Sequence, residues 1–277
     1  MSKASTVALW TFCAAVLIFL LAPIVAIVPL SFNAEPYLNY PMAGWSLQWY
    51  REFFGSASWQ LAWKNSVVVA SCSALASGVL GTLAALGLHR RDCPMRGGLL
   101  AVLISPVVVP IVITGVGCYI AFAQLGLLNS LAGLIVAHTG LGAPFVVITV
   151  MAALSRFDAR LTRAAASLGA GPATTFFRVT LPLIAPGVAS GMLFAFVTSF
   201  DEVVIALFIG GPEQRTLPRQ MWTGVRESIS PTIAAAATVL IVLSVTLLAV
   251  VQSLRERMEA QARSGSPLPK RSPKRSR

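Results

Sequence analysis

Charge is scarce in this chain. Asp, Glu, Lys and Arg make up 11% of the 277 residues while hydrophobic residues reach 56%, against a charged share of about 25% in ordinary soluble domains. So few polar side chains could not cover a soluble globule of this size. Acids are the rarest of all, 10 against 21 bases for a net charge of +11. Spread over a hydrophilic surface, that excess would suggest nucleic acid. Here the bases sit in connecting segments and a C-terminal tail, between long uncharged runs, which excludes nucleic acid as the implied partner and indicates a multi-pass membrane protein. No Gly-Lys dipeptide occurs, so the phosphate-cradling loop GxxxxGK[ST] is missing and ATP hydrolysis by that route is excluded. His89 and His138 form no HExxH pattern, and Cys13, Cys72, Cys93 and Cys118 have no CxxC spacing, so neither metal nor redox chemistry is supported.

What is present is a series of six apolar runs: Val7 to Leu30, Ser66 to Leu88, Leu99 to Ala123, Leu131 to Leu154, Ala185 to Ile209, and Ile233 to Val251. Each exceeds the roughly 17 residues that a helix needs to cross hydrocarbon. The first run is too long for a signal-peptide core and reads as a retained anchor. Counting bases loop by loop places sixteen on the side of both termini and five on the other, so both termini are expected in the cytoplasm. The outer loop from Ser31 to Asn65 carries four Trp and three Tyr, which suits an aromatic belt with a short interfacial helix. Pro106 and Pro110 in the third run predict a kink, either in a pathway-lining helix or as a packing feature. Gly187 and Gly191 form a GxxxG that can bring two membrane helices close.

The cytoplasmic loop from Ser155 to Ile184 reads SRFDARLTRAAASLGAGPATTFFRVTLPLI. On a helical wheel, Phe157, Leu161, Ala164, Ala165 and Leu168 share one face and Arg156, Arg160 and Arg163 another. Gly169 and Gly171 favour a helix end, and Pro172 suits the first turn of the next helix. The pattern predicts a short helix, a tight turn and a second short helix ending before Leu181 and Pro182. Such a small-sided helix fits a protein groove, and it fits equally an interfacial helix resting on lipid.

The spacing of Arg163, Ala164, Ala165, Gly169, Val179, Leu181 and Pro182 resembles the EAA loop of ABC importer permeases, EAAxxxGx9IxLP, with Arg163 at the usual Glu position and Val179 at the Ile. The resemblance implies that residues 155–184 are the coupling loop that docks on an ATP-binding subunit, with Arg163, Ala164, Ala165, Gly169, Leu181 and Pro182 at the contact. It further implies an all-α fold of six transmembrane helices, the type I ABC importer permease (MetI-like) fold, over residues 1–254. Two ATP-binding subunits, a second permease subunit of a different chain, an extracytoplasmic substrate-binding protein and the lipid of a bacterial inner membrane are the implied partners. ATP and Mg would act on the ATPase chain, and this chain would hold no cofactor. The segment Ser199 to Thr238 resembles the spermidine and putrescine branch, which points to a small cationic cargo. Another small solute such as an amino-acid derivative is the alternative.

Asp201 and Glu202 stand alone as charges within the six runs, about 24 Å at helical rise from the cytoplasmic end of theirs. Ionised carboxylates at that depth cost at least a few kcal/mol unless paired or hydrated. Water, Arg215 or Arg219 folding back, a second subunit, or the cargo could supply the partner. With Ser199 they are the pathway candidates, and an ion-coupled secondary transporter using the two acids is the rival function. Adjacent residues point about 100° apart, so one acid faces the pathway and the other a neighbour. From Arg255 to Arg277 the chain reads as a basic, irregular cytoplasmic tail.

Overall fold

The computed structural model describes residues 3–90, 92–227 and 229–264. It is almost entirely helical, with one isolated bridge between Asn33 and Trp45. The chain divides into two compact units, residues 1–238 and 239–277.

In the first unit, α1 (Lys3–Leu30) is uniformly apolar and has nearly every described side chain exposed along its first 24 residues. The segment after it folds back on itself. Trp49 Nε1 donates to the Asn33 carbonyl at 2.6 Å, and Phe32 lies 5.0 Å from Tyr50 between ring centres. A short helix, α2 (Gln48–Gly55), forms in this segment, with Phe53 buried. Helix α3 (Ala57–His89) begins well before the expected Ser66, because Trp59, Ala62 and Asn65 already find burial within the protein.

The third apolar run is not one straight span. It breaks into α4 (Arg96–Val108) and α5 (Ile111–Leu125), bent by 104°. Pro110 has no N–H for the ladder and disfavours helical geometry at Val109, which is extended at ψ 134°. Helix α6 (Leu131–Ser155) starts from Ser130, whose hydroxyl accepts the Gly133 N–H at 3.0 Å. Further along come α7 (Ala159–Ser167), α8 (Pro172–Thr175), a π turn (Phe176–Thr180), α9 (Leu181–Asp201), α10 (Val204–Ile209) and α11 (Leu217–Glu227). Four helical stretches of the described residues are long and apolar enough to cross a membrane, or five if α4 and α5 form one broken span.

Antiparallel α6 and α9, with α3 against both, build the inner core around Val146, Val150, Leu154, Ile184 and Ala195. The approach is set by small residues every four positions on α9: Gly187, Gly191, Ala195 and Ser199. A methyl added at Gly191 would meet Val146 Cα at 2.6 Å, and one added at Gly187 would meet Ala153 Cβ at 2.8 Å. Across from Ala195, Gly142 of α6 leaves room of the same kind, a Cβ there lying 2.8 Å from Ala195 Cβ. The GxxxG of the sequence thus packs within the chain, and dispersion along this seam stands in for the hydrophobic force that lipid cannot supply. A second core joins α5, α6 and α10 through Phe122, Leu134, Leu141 and Ile205.

Helix α12 (Pro231–Ser264) starts in the first unit and supplies the described part of the second. Its apolar stretch, Pro231–Thr246, coincides with most of the sixth run. The helix carries on past Arg255, where the sequence reading begins its irregular tail. The rest of that tail, 265–277, lies outside the described residues.

Candidate functional site

Two regions carry the residues singled out from the sequence. The first is an elbow between α6 and α9. Asp158 caps α7 by accepting the Arg160 N–H at 2.8 Å. Helix α7 ends in a paired hydrogen-bond motif: the Gly169 N–H donates to the Ala166 carbonyl at 2.9 Å and the Ala170 N–H to Ala165 at 3.0 Å. That geometry needs a left-handed residue, and Gly169 supplies it at φ +81°. Pro172 then opens α8 at its first turn.

The expected stop before Leu181 and Pro182 does not occur. Residues 176–180 widen into the π turn, in which the Leu181 N–H donates to Phe176 five residues back, and the helix runs on into α9. Pro182 lacks an N–H and its ring would crowd the preceding turn of a regular helix, a conflict that the wider turn accommodates. Arg163, Ala164 and Pro182 are exposed on this elbow, Ala165 and Leu181 half-buried. Leu168, 88% exposed, adds an uncovered apolar side chain at the tip of the turn.

The second region is the interruption between α9 and α10. Glu202 makes the break. One carboxylate oxygen accepts the Val204 N–H at 3.0 Å and the other the Ile205 N–H at 2.8 Å, so this acid caps the N-terminus of α10. Asp201 is exposed and, with the half-buried Glu202, borders a groove of about 500 Å³, along with Val197, Thr198, Leu141 and, from the α4–α5 break, Pro106 and Val109. Two interrupted helices therefore face one groove. Arg215 and Arg219 do not reach the acids with their hydrogen bonds. Arg215 donates to Gln220 at 3.2 Å and Arg219 to the Gly211 carbonyl at 2.8 Å. Burial, with the Arg215 charge beside it, holds the Arg219 guanidinium below its usual pKa.

Ser199, a pathway candidate from the sequence, turns the other way. It is buried on the α6 side, its hydroxyl 2.7 Å from His138 Nδ1. His138 is fully buried and was given no role by the sequence reading. The signal was there in outline: the four-residue run of small side chains on α9 ends at Ser199, and His138 is the one ionisable group in the fourth apolar run. The segment after α10 is pinned by Asn65, whose amide donates to the carbonyls of Glu213 and Arg215, both at 2.9 Å. Nearby, the Ser66 hydroxyl accepts the Leu217 N–H at 2.7 Å.

An elbow with small, exposed side chains and an acid-bordered groove at paired helix breaks suit a transport subunit, and comparison with known proteins agrees. Residues 77–261 match the family described as binding-protein-dependent transport system inner membrane component. The putrescine transport system permease protein PotI of Escherichia coli K12 is 35% identical over 80% of this chain and 82% of its own. The spermidine/putrescine transport system permease protein PotC of the same organism is 32% identical over 85% and 89%. Among solved structures, a chain of a bacterial alginate ABC transporter in complex with an alginate pentasaccharide-bound periplasmic protein superposes with a TM-score of 0.72 at 16% identity, over 92% of this chain and 94% of that one. The chain belongs to the family of binding-protein-dependent transport system inner membrane components.

Proposed function

We propose that this chain is a membrane-spanning permease subunit of an ATP-driven importer for polyamines or related small cations. In this reading it crosses the bacterial inner membrane six times, with α4 and α5 as one broken span, the apolar start of α12 as the last, and both termini in the cytoplasm. The elbow of α7 and α8 docks on an ATP-binding subunit through Ala164, Ala165 and Gly169, with Arg163 meeting the partner's surface. Leu181 and Pro182 fix where the elbow joins α9. ATP and Mg act on that partner. A second permease subunit completes the pathway, and a binding protein delivers the cargo from outside.

The observation that carries the cationic cargo is the division of labour between the acids. Both line the groove, but Glu202 is half-buried with its two oxygens held in capping α10, while Asp201 is exposed. A carboxylate 4 Å from an ammonium contributes about 1 kcal/mol in water and about 4 kcal/mol at an effective dielectric constant of 20. That is enough to enrich cations in a passage and too little to trap them. The similarity to permeases named for putrescine and spermidine supports the same cargo class.

The test is uptake of labelled putrescine into vesicles holding the chain with its ATPase and second permease partners. ATP-dependent uptake is the expected result. Uptake that follows an ion gradient without ATP would identify a secondary transporter instead, and no transport of any solute would leave a scaffold.

A further inference from the structure

We infer that His138 is a positioning residue for transport: its hydrogen bond to Ser199 sets the rotation of the end of α9 and so aims Asp201 into the groove. The inference rests on the reading of Asp201 as the cation-facing group. Below its end, the α6–α9 seam is built from close contacts of Gly187, Gly191 and Ala195 with Ala153, Thr149, Val146 and Gly142, in which a glycine offers no side chain to bond or interlock. Such contacts fix how close the helices lie, but they resist rotation about the helix axis only weakly. The last rung is different. There a fully buried imidazole meets a buried hydroxyl at 2.7 Å, a bond that is lost when either helix turns.

Its place in the chain gives that bond leverage. Asp201 lies two residues beyond Ser199 and so about 160° round the helix from it. Ser199 faces α6 while Asp201, with Val197 and Thr198, faces the groove. Beyond Asp201 the regular helix ends, so no further turn of α9 holds the carboxylate in place. A rotation of about 20° would carry a group some 5 Å from the axis by roughly 2 Å, comparable to the difference between lining a passage and facing its wall. His138 Nε2 is buried with no hydrogen-bond partner among the described residues, so the ring is anchored only through Nδ1 and Ser199. An unsatisfied buried polar atom is costly, and a residue retained for packing alone would not need one.

The experiment compares His138→Ala, His138→Asn, His138→Gln and Ser199→Ala in the intact transporter. Asn brings a polar atom to about the position of Nδ1, whereas Gln brings one to that of Nε2. The expected result is a rise of about five- to tenfold in KM for putrescine uptake in His138→Ala and Ser199→Ala, with ATP turnover and assembly kept, recovery in His138→Asn and none in His138→Gln. Ser199→Ala removes a single oxygen and keeps the test alive should His138→Ala fail to assemble. A second readout needs no cargo: in a version carrying Val197→Cys and none of the four native cysteines, the rate of labelling by a charged thiol reagent reports the groove face of α9. That rate is expected to change several-fold with His138→Ala and to return with His138→Asn. Unchanged KM and labelling in assembled complexes, or recovery by His138→Gln as complete as by His138→Asn, overturns the positioning role. Were the unaltered transporter to move no diamine, the proposed cargo would fall, and the labelling rates would still decide the role of His138.

Discussion

Replacing Gly191 by Ala adds one methyl to the seam between α6 and α9, and its cost can be worked out. The new Cβ would sit 2.6 Å from Val146 Cα, where carbon atoms in contact rest at about 3.5–4.0 Å. The obstacle is backbone, so no rotamer change relieves it, and the helices must part by roughly 1 Å. A gap of that size forfeits a quarter to a half of each dispersion contact along the seam, and overpacking in a dense core costs about 1–3 kcal/mol. Against this, Gly→Ala within a helix gains up to about 1 kcal/mol. Gly140, on α6, has nothing within 4 Å of its added Cβ and shows the helical gain alone. The helical gain is common to both, so the two substitutions should differ by about 1–3 kcal/mol, which at about 2–4 °C per kcal/mol separates their melting temperatures by roughly 2–12 °C. Thermal unfolding of the purified transporter in detergent, followed by tryptophan fluorescence, measures the difference. If Gly191→Ala melts no lower than Gly140→Ala, the close approach of the two helices is not a source of stability.

Other substitutions divide along similar lines. Glu202→Ala removes both capping bonds of α10 and should cost about 1–2 kcal/mol of stability, whereas Asp201→Asn should leave the melting temperature within about 1 °C and weaken putrescine uptake; the reverse pattern, read by melting and uptake together, would exchange their roles. Ala164→Asp or Ala165→Trp should leave the membrane part folded but break the link between ATP hydrolysis and uptake, so preserved coupling in either variant would argue against docking through the elbow. Asn65→Ala leaves the carbonyls of Glu213 and Arg215 without their donor and should lower stability by about 1–3 kcal/mol, measurable as a lower melting temperature, while Asn65→Asp should recover none of it because a carboxylate cannot donate.

Features governed by local chemistry were readable from the sequence. The elbow was visible because Gly169, Gly171 and Pro172 are backbone punctuation, and their effects hold in any surroundings. A kink near Pro110 was visible for the same reason, although its 104° angle depends on what α4 and α5 pack against. The break at Glu202 was not visible. No Pro or Gly marks it, and it arises because a carboxylate beside an apolar helix start takes two backbone donors. The π turn was equally hidden, since Pro182 at the motif's end suggested a stop and the chain widened instead. That Ser199 is buried against α6 was not visible, because its hydroxyl meets His138, 61 residues away in sequence, and a wheel drawn for one helix contains no information about its neighbour.

The widened turn at 176–180 also constrains length. A π turn holds about one residue more than the α-turn it replaces, so deleting a residue there would restore a regular helix and with it the crowding of Pro182 against the turn before it. Chain length between the elbow and the seam is therefore set even where side-chain identity is loose, and a single-codon gap in this stretch would be more damaging than most replacements of the residues it contains.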